Sequence, residues 1–219
     1  AELRSKGISC GKNRVAQLMK SNGLKAKTKR RFKATTKSKH DFLVADNLLQ
    51  QRFSADEANH VWVSDITFIR TKQGWLYLAA ILDVFNRQIV GWSMDSKLSH
   101  ELLAEALRKA LRQRRPESGV LFHSDRGTQY ASYAFRDLME QHGFVQSMSS
   151  SGNCYDNALM ESFFHTLKTE LIYFEKYRTR QEALRSIFEY IELFYNRVRR
   201  HSALNYCSPV EFERNAHLT

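Results

Sequence analysis

VWVSDITFI, residues 61–69, sets one carboxylate, Asp65, in the middle of an apolar and largely β-branched run. The composition predicts a strand. A charged carboxylate inside it costs several kcal/mol unless a cation or hydrogen bonds compensate it. Two further strand-like runs follow closely, WLYLAAILDVF (75–85) and QIVGWSM (88–94), with turns around Lys72–Gly74 and Asn86–Arg87. Together the three predict an antiparallel meander. Residues 99–114 switch to helical period, with Leu102, Leu103, Ala106, Leu107, Ala110 and Leu111 on one face. GVLFHS (119–124) is then a buried strand, SYAFRDLMEQH (132–142) an amphipathic helix, FVQSMS (144–149) a fifth strand and SSGNCYDN (150–157) a polar loop. This order predicts an α/β fold, a mixed five-stranded sheet flanked by helices. Beyond it NALMESFFHTLKTEL (157–171) and QEALRSIFEYIELFYNRV (181–198) read as helices, the second with Ala183, Ile187, Ile191 and Phe194 on one stripe. RRHSALNYCSPVEFE (199–213) reads as a loop with a short helix after Pro209.

Upstream of the sheet, FLVADNLLQQRF (42–53) looks like a short connecting helix, and SADEANH breaks the pattern near residue 55. KNRVAQLMK (12–20) places Val15, Leu18 and Met19 at helical spacing, stopped by Ser21, Asn22 and Gly23. With AELRSKG and the turn ISCG before it, the segment reads as helix, turn, helix. Its first helix has barely two turns, so the expectation is a truncated helix-turn-helix. Residues 25–40 carry eight Lys or Arg and no acid, a basic linker. The expected division is 1–40 for these parts, 41–55 for the connecting helix and 56–219 for a catalytic domain.

Charge is distributed unevenly. Of 34 Lys or Arg and 23 Asp or Glu, 13 and one fall in residues 1–40, a local excess of +12 that leaves 21 against 22 for the remainder. Such an arm is a footprint for a polyanion, and nucleic acid is the commonest; a solubilising or membrane-surface tail is the bland alternative. No run approaches a membrane span and no signal-peptide stretch opens the chain, so the expected compartment is the cytoplasm. Cys10, Cys154 and Cys207 are odd in number and far apart, and read as reduced thiols.

Asp65, Asp125 at the end of GVLFHSD and Glu161 in ALMESFF are the candidate catalytic and metal-binding residues, with 35 residues between the last two. All three ligands are oxygen, which selects a hard cation, Mg²⁺ or Mn²⁺. Two such ions about 3.5 to 4 Å apart can activate a nucleophilic oxygen and neutralise the leaving oxygen of a phosphodiester displacement. Each residue also has a plain role open to it: a solvent-facing strand residue, a turn former before Arg126–Gly127, or an ordinary helix glutamate. Asp83 in ILDVF is a rival, preferred here as the residue that opens the Asn86–Arg87 hairpin. His123 reads either as a support for Asp125 or as a packed strand histidine.

The blocks VWVSDITFI, LAAILDVFNRQIVGW, FHSDRGTQYAS, SMSSSGNCYDNALMESFFHTLKTEL and YNRVRRHSALNYCSPVEFE resemble those of the OrfB-type DDE transposases of bacterial insertion sequences, kin of retroviral integrases. GISCGKNRVAQLMKSNGLKAK resembles the same family's helix-turn-helix. The resemblance implies a ribonuclease H-like fold, a two-Mg²⁺ site with Mn²⁺ as a substitute, and Asp65, Asp125 and Glu161 as metal ligands. It also implies cleavage at element ends and attack of the exposed 3′-hydroxyl on another phosphodiester. Lys168, two turns after Glu161, would face the DNA end. Asn153, Tyr155 and Asn157, in the loop with Ser151 and Gly152, would approach the scissile region. Lys12, Arg14, Lys29, Arg30 and Arg31 are candidate DNA contacts in the basic arm. The implied partners are double-stranded DNA, both element ends and target, and further copies of the chain in a multimer, with no membrane. A ribonuclease H-like nuclease that only hydrolyses and a non-catalytic DNA-binding regulator are the competing classes, and covalently joined products separate them.

Overall fold

In the computed structural model, which describes residues 1–25, 44–150 and 154–218, the run quoted first is the central strand of a five-stranded sheet. The strands are β1 (Val61–Thr71), β2 (Gly74–Asp83), β3 (Ile89–Asp95), β4 (Leu121–Ser124) and β5 (Val145–Met148), in the order β3-β2-β1-β4-β5. β1, β2 and β3 form the expected antiparallel meander, and β4 and β5 join β1 in parallel, with Val63 opposite His123.

Both sheet faces are covered, which is why β2 reads as a continuous apolar run rather than an alternating one. Successive side chains go to opposite sides. Val63, Leu78, Ala80 and Leu82 pack with α6 (Ala158–Glu170) and α7 (Arg180–Phe188), while Trp62, Ala79 and Ile81 pack with α3 (His100–Arg114) and α5 (Tyr133–Gln141). A short α4 (Thr128–Ala131), which the residue pattern does not announce, links β4 to α5. The closing α8 (Pro209–Ala216) starts with a capping box on Ser208 and Glu211. Its Glu213 accepts from Arg114 and from Asn86 Nδ2 (2.9 Å), tying the end of the chain to α3 and the β2–β3 turn.

Two expectations fail. The helix over 42–53 does not form: within its described part, Leu48 and Leu49 donate their N–H groups to Ser147 Oγ, Met148 donates to the Asp46 carbonyl, and Gln50 and Gln51 have φ of 47° and 60°. The backbone donors that a helix would use internally are engaged with the edge of β5. The segment 181–198 is helical, but not as one regular α-helix. After α7 a π-helical stretch, Glu189–Tyr195, adds a wider turn, and Asn196 N–H donates to the Ile191 carbonyl five residues back. The apolar stripe therefore moves by one residue: Ala183, Ile187 and Ile191 are buried, but Tyr195 and not Phe194 comes next. The shift lets Asn196 pair with the backbone of edge residue Ile89 in both directions, each bond 3.0 Å.

The chain divides into two compact units, Ala1–Phe32 and Lys33–Thr219. In the first, α1 (Glu2–Ser5) and α2 (Lys12–Ser21) are joined by a short turn, and α2 ends as expected, with Asn22 Nδ2 on the Leu18 carbonyl and Gly23 at φ +66°. No helix among the described residues is long and apolar enough to cross a membrane. Cys10 and Cys207 are free thiols.

Candidate active site

Asp65 lies in mid-strand on the central β1, opposite Ala80 of β2. Strand alternation puts it on the same face as Val63, the face covered by α6, which carries Glu161 in its first turn. Asp125 immediately follows β4, the parallel neighbour of β1, and its Oδ1 accepts from Gly127 N–H at 2.9 Å. The carboxylates thus come from a strand interior, a strand end and a crossing helix.

Burial pushes the Asp65 carboxyl well above the usual range, and the charges of Asp125 and then Glu161 push it further; the Ile66 N–H on its Oδ1 (2.7 Å) and the Lys168 ammonium pull the other way without restoring it. Burial alone raises Glu161. Lys168, on the Glu161 face of α6, has its own pKa lowered by burial and partly restored by Asp65. Positive charge at the centre is thus too small for the carboxylates gathered there. Among the described residues no three His, Cys, Asp or Glu side chains stand close enough to form a ready-made metal cluster. Asp65 with Asp125 is the more strongly coupled pair, and an all-carboxylate donor set suits a hard divalent cation.

The shell around the pair was not legible in the residue pattern. Tyr130 is buried with its hydroxyl 2.9 Å from Ser64 Oγ, and burial followed by the charges of Asp65 and Asp125 raises its pKa well above normal, so it stays a neutral phenol beneath them. Asp156 is buried and accepts from Asn47 Nδ2 (2.9 Å), Gln51 Nε2 (3.0 Å) and Ser150 N–H (2.7 Å). Burial alone would raise its pKa, but the hydrogen bonds from Ser150 and Gln51, with the nearby His123, outweigh it and hold the carboxylate below its ordinary value. Its place between a tyrosine and an asparagine, just before a helix, is the only sequence signal it has.

The other expected residues are distributed as follows. Asn157 is buried and donates Nδ2 to the Ser64 carbonyl at 3.1 Å, tying the start of α6 to β1 beside Asp65; in this conformation it is a strut and not an exposed contact. Tyr155 is 70% exposed. Lys12 and Arg14 are exposed on α2 in the N-terminal unit, whereas Asn153, Lys29, Arg30 and Arg31 lie outside the described residues. Asp83 is buried and accepts from the N–H groups of Asn59 (2.7 Å) and Phe85 (3.0 Å), with Arg114 at 3.8 Å, as the hairpin-opening role requires. His123 is a packed strand histidine, its ring nitrogens 2.9 and 3.2 Å from the hydroxyls of Ser147 and Ser149, and burial lowers its pKa to about 4.

Known proteins match this arrangement along nearly the whole chain. The family described as integrase core domain matches residues 55–154 and again 161–217, and an HTH-like domain matches 1–32. A 31 kDa protein of insertion element IS600 from Shigella sonnei is 49% identical over 216 residues, covering 99% of this chain and 79% of that protein. The transposase InsF of insertion sequence IS3A from Escherichia coli is 42% identical over 212 residues, covering 97% and 74%. Among solved structures, a chain of the simian T-cell lymphotropic virus intasome in complex with PP2A regulatory subunit B56 gamma superposes with a TM-score of 0.62 at 16% identity, over 81% of this chain and 60% of that one. The HTLV-2 integrase catalytic core in complex with magnesium gives 0.55 at 14% identity, over 73% and 99%. The sheet order and these matches agree: the chain belongs to the insertion-sequence transposases, polynucleotidyl transferases with an HTH-like segment and an integrase-type, ribonuclease H-like core.

Proposed function

We propose that Asp65, Asp125 and Glu161 hold Mg²⁺, two ions in the working site with Mn²⁺ able to substitute, and that the chain cuts at the ends of its element and joins the exposed 3′-hydroxyl to target DNA. The observation that carries this reading is the Asp65 carboxyl, mostly enclosed, with two like charges and one half-buried lysine around it. Bound divalent cations would supply the missing positive charge, activate the attacking oxygen and neutralise the leaving one.

The chain's own residues do the rest. Mid-strand placement of Asp65 fixes it against the sheet, and the Gly127 N–H fixes one oxygen of Asp125. Lys168 positions the DNA end by holding a phosphate beside the acidic centre, on the helix face it shares with Glu161. Asn153 and Tyr155 approach the scissile strand from the loop ahead of α6, and Asn157 holds that loop to β1. Lys12, Arg14, Lys29, Arg30 and Arg31 grip duplex phosphates, and several copies act together on paired ends, on the DNA of a bacterial cytoplasm.

The test is a strand-transfer assay with pre-cut ends, plasmid and Mg²⁺. The wild type is expected to give covalently joined products. Asp65→Asn, Asp125→Asn and Glu161→Gln should each lower joining by at least roughly 10² to 10³-fold while DNA binding survives. Nicked but never joined plasmid from the wild type would make the chain a nuclease.

A further inference from the structure

Beside the carboxylates, on the adjoining flank of α6, lies a cavity of about 390 Å³ between that helix and the RRHS segment at 199–202. Ser162 and Thr166 of α6 line one wall, and Arg87, Arg199, Arg200 and His201 line others. Ser162 directly follows Glu161, so the cavity opens about 100° around the helix from the acidic face. Among the described residues its lining contains no carboxylate.

Arg199 is neutralised from outside the cavity by Glu170, which takes its Nε at 3.0 Å and its Nη2 at 2.8 Å. Arg87 is less well compensated: the Asp83 charge acts on it only from beyond ion-pair distance. It occupies the β2–β3 turn at φ 61°, donates Nη2 to the Phe53 carbonyl at 2.7 Å, makes no ion pair among the described residues, and leaves Nη1 buried without a partner. Arg200 donates Nη1 to the Tyr206 carbonyl at 2.9 Å, and the half-exposed Tyr206 ring flanks the opening. An arginine largely removed from water with no anion in contact is expensive, and a planar guanidinium fork with hydroxyls nearby matches phosphate geometry.

We infer that this cavity is a second anion site of the catalytic unit, which seats one backbone phosphate of a DNA strand running past α6, held by Arg87 and Arg200 with the Ser162 hydroxyl. Burial, then the neighbouring Arg199, lowers the His201 pKa to about 4, so His201 is neutral at working pH and the charge rests on the arginines. The acidic centre and this site would grip one strand at two places on the same helix, so the phosphate that reacts is set by the one that is seated. The inference rests on the DNA-handling reading above for the nature of its ligand.

The test is duplex binding by the full chain without divalent metal, read as log affinity against log salt. Ser162→Asp puts a negative charge on an exposed helix position and is expected to leave the fold intact. Ser162→Asp and Arg200→Gln should each weaken binding by roughly tenfold and reduce the salt slope by about one. Arg185→Gln, on the exposed side of α7, should change neither. Arg87→Gln should behave like Arg200→Gln if it folds, and the first two variants decide the matter if it does not. Slopes unchanged in both, from a wild type that still joins ends, would overturn the inference and leave the transposition chemistry standing. Calorimetric binding of inorganic phosphate that Ser162→Asp abolishes, with DNA slopes unchanged, would overturn it too, by making the site one for free phosphate.

Discussion

Asp65 is costly to the folded protein for the reason that suits it to the proposed metal site. Its carboxyl is raised by burial, by Asp125 and by Glu161. A group with a folded-state pKa above its unfolded one contributes stability that is fully present below the unfolded pKa and is lost as pH rises through the folded one. At neutral pH without metal, Asp65→Asn is therefore expected to stabilise the chain by about 1 to 2 kcal/mol, a gain that shrinks as pH falls into the ordinary carboxylate range. Urea unfolding at two pH values checks it; a variant less stable than wild type at pH 7 would mean that Asp65 is structurally paired. Lys168 is the counterpart. Lys168→Ala should lower joining more than Mn²⁺ affinity, because the ammonium sits beside the carboxylates without ligating a cation. Equal losses, read by calorimetry and strand transfer, would make it a partner of the carboxylates alone. Asp83→Asn separates the rivals: it puts an amide donor against the Asn59 and Phe85 N–H groups, so it should cost about 1 to 3 kcal/mol of stability while the soluble fraction still joins ends.

At the scale of elements, Gly91 of β3 lies tight against α3. A methyl group there would run into the Ala106 carbonyl oxygen and come within 2.6 Å of Ala110 Cβ on α3. Backbone cannot step aside as a side chain can, so Gly91→Ala should destabilise by about 1 to 3 kcal/mol or more, seen as a lower denaturant midpoint with an unchanged slope. All five strands and the helices α3, α5 and α6 were legible because their apolar periods are strong, and Asp65, Asp125 and Glu161 are proposed as the site because charge stands out in such runs. What failed shares one physical cause. FLVADNLL has a helix-like pattern, but partners distant in sequence, Ser147 and Met148, engage the backbone groups that a helix would use. The π turn before Asn196 likewise answers to the edge of β3, which no local period encodes. Tyr130 and Asp156 are invisible for the same reason, since burial and hydrogen bonds from other elements define them.

Across the whole molecule the excess positive charge belongs to the first 40 residues, with 13 basic groups and one acidic, while the rest of the chain is close to neutral. A nearly neutral catalytic unit with an acidic centre attracts DNA weakly by itself, so the arm should supply most of the sequence-independent affinity. Each phosphate that a Lys or Arg neutralises releases condensed counterions, and log affinity falls in proportion with log salt. If roughly 6 to 10 of the arm's basic groups meet phosphates, affinity should drop by about 10³ to 10⁵ between about 50 and 200 mM salt. Removing residues 1–40 should flatten the line to the few contacts of the catalytic unit, including the one assigned to Arg87 and Arg200. Anisotropy titrations of one duplex at several salt concentrations, with and without the arm, measure both slopes. A slope unchanged by the deletion would place the main DNA surface on the catalytic unit, where the charge balance gives it no evident source.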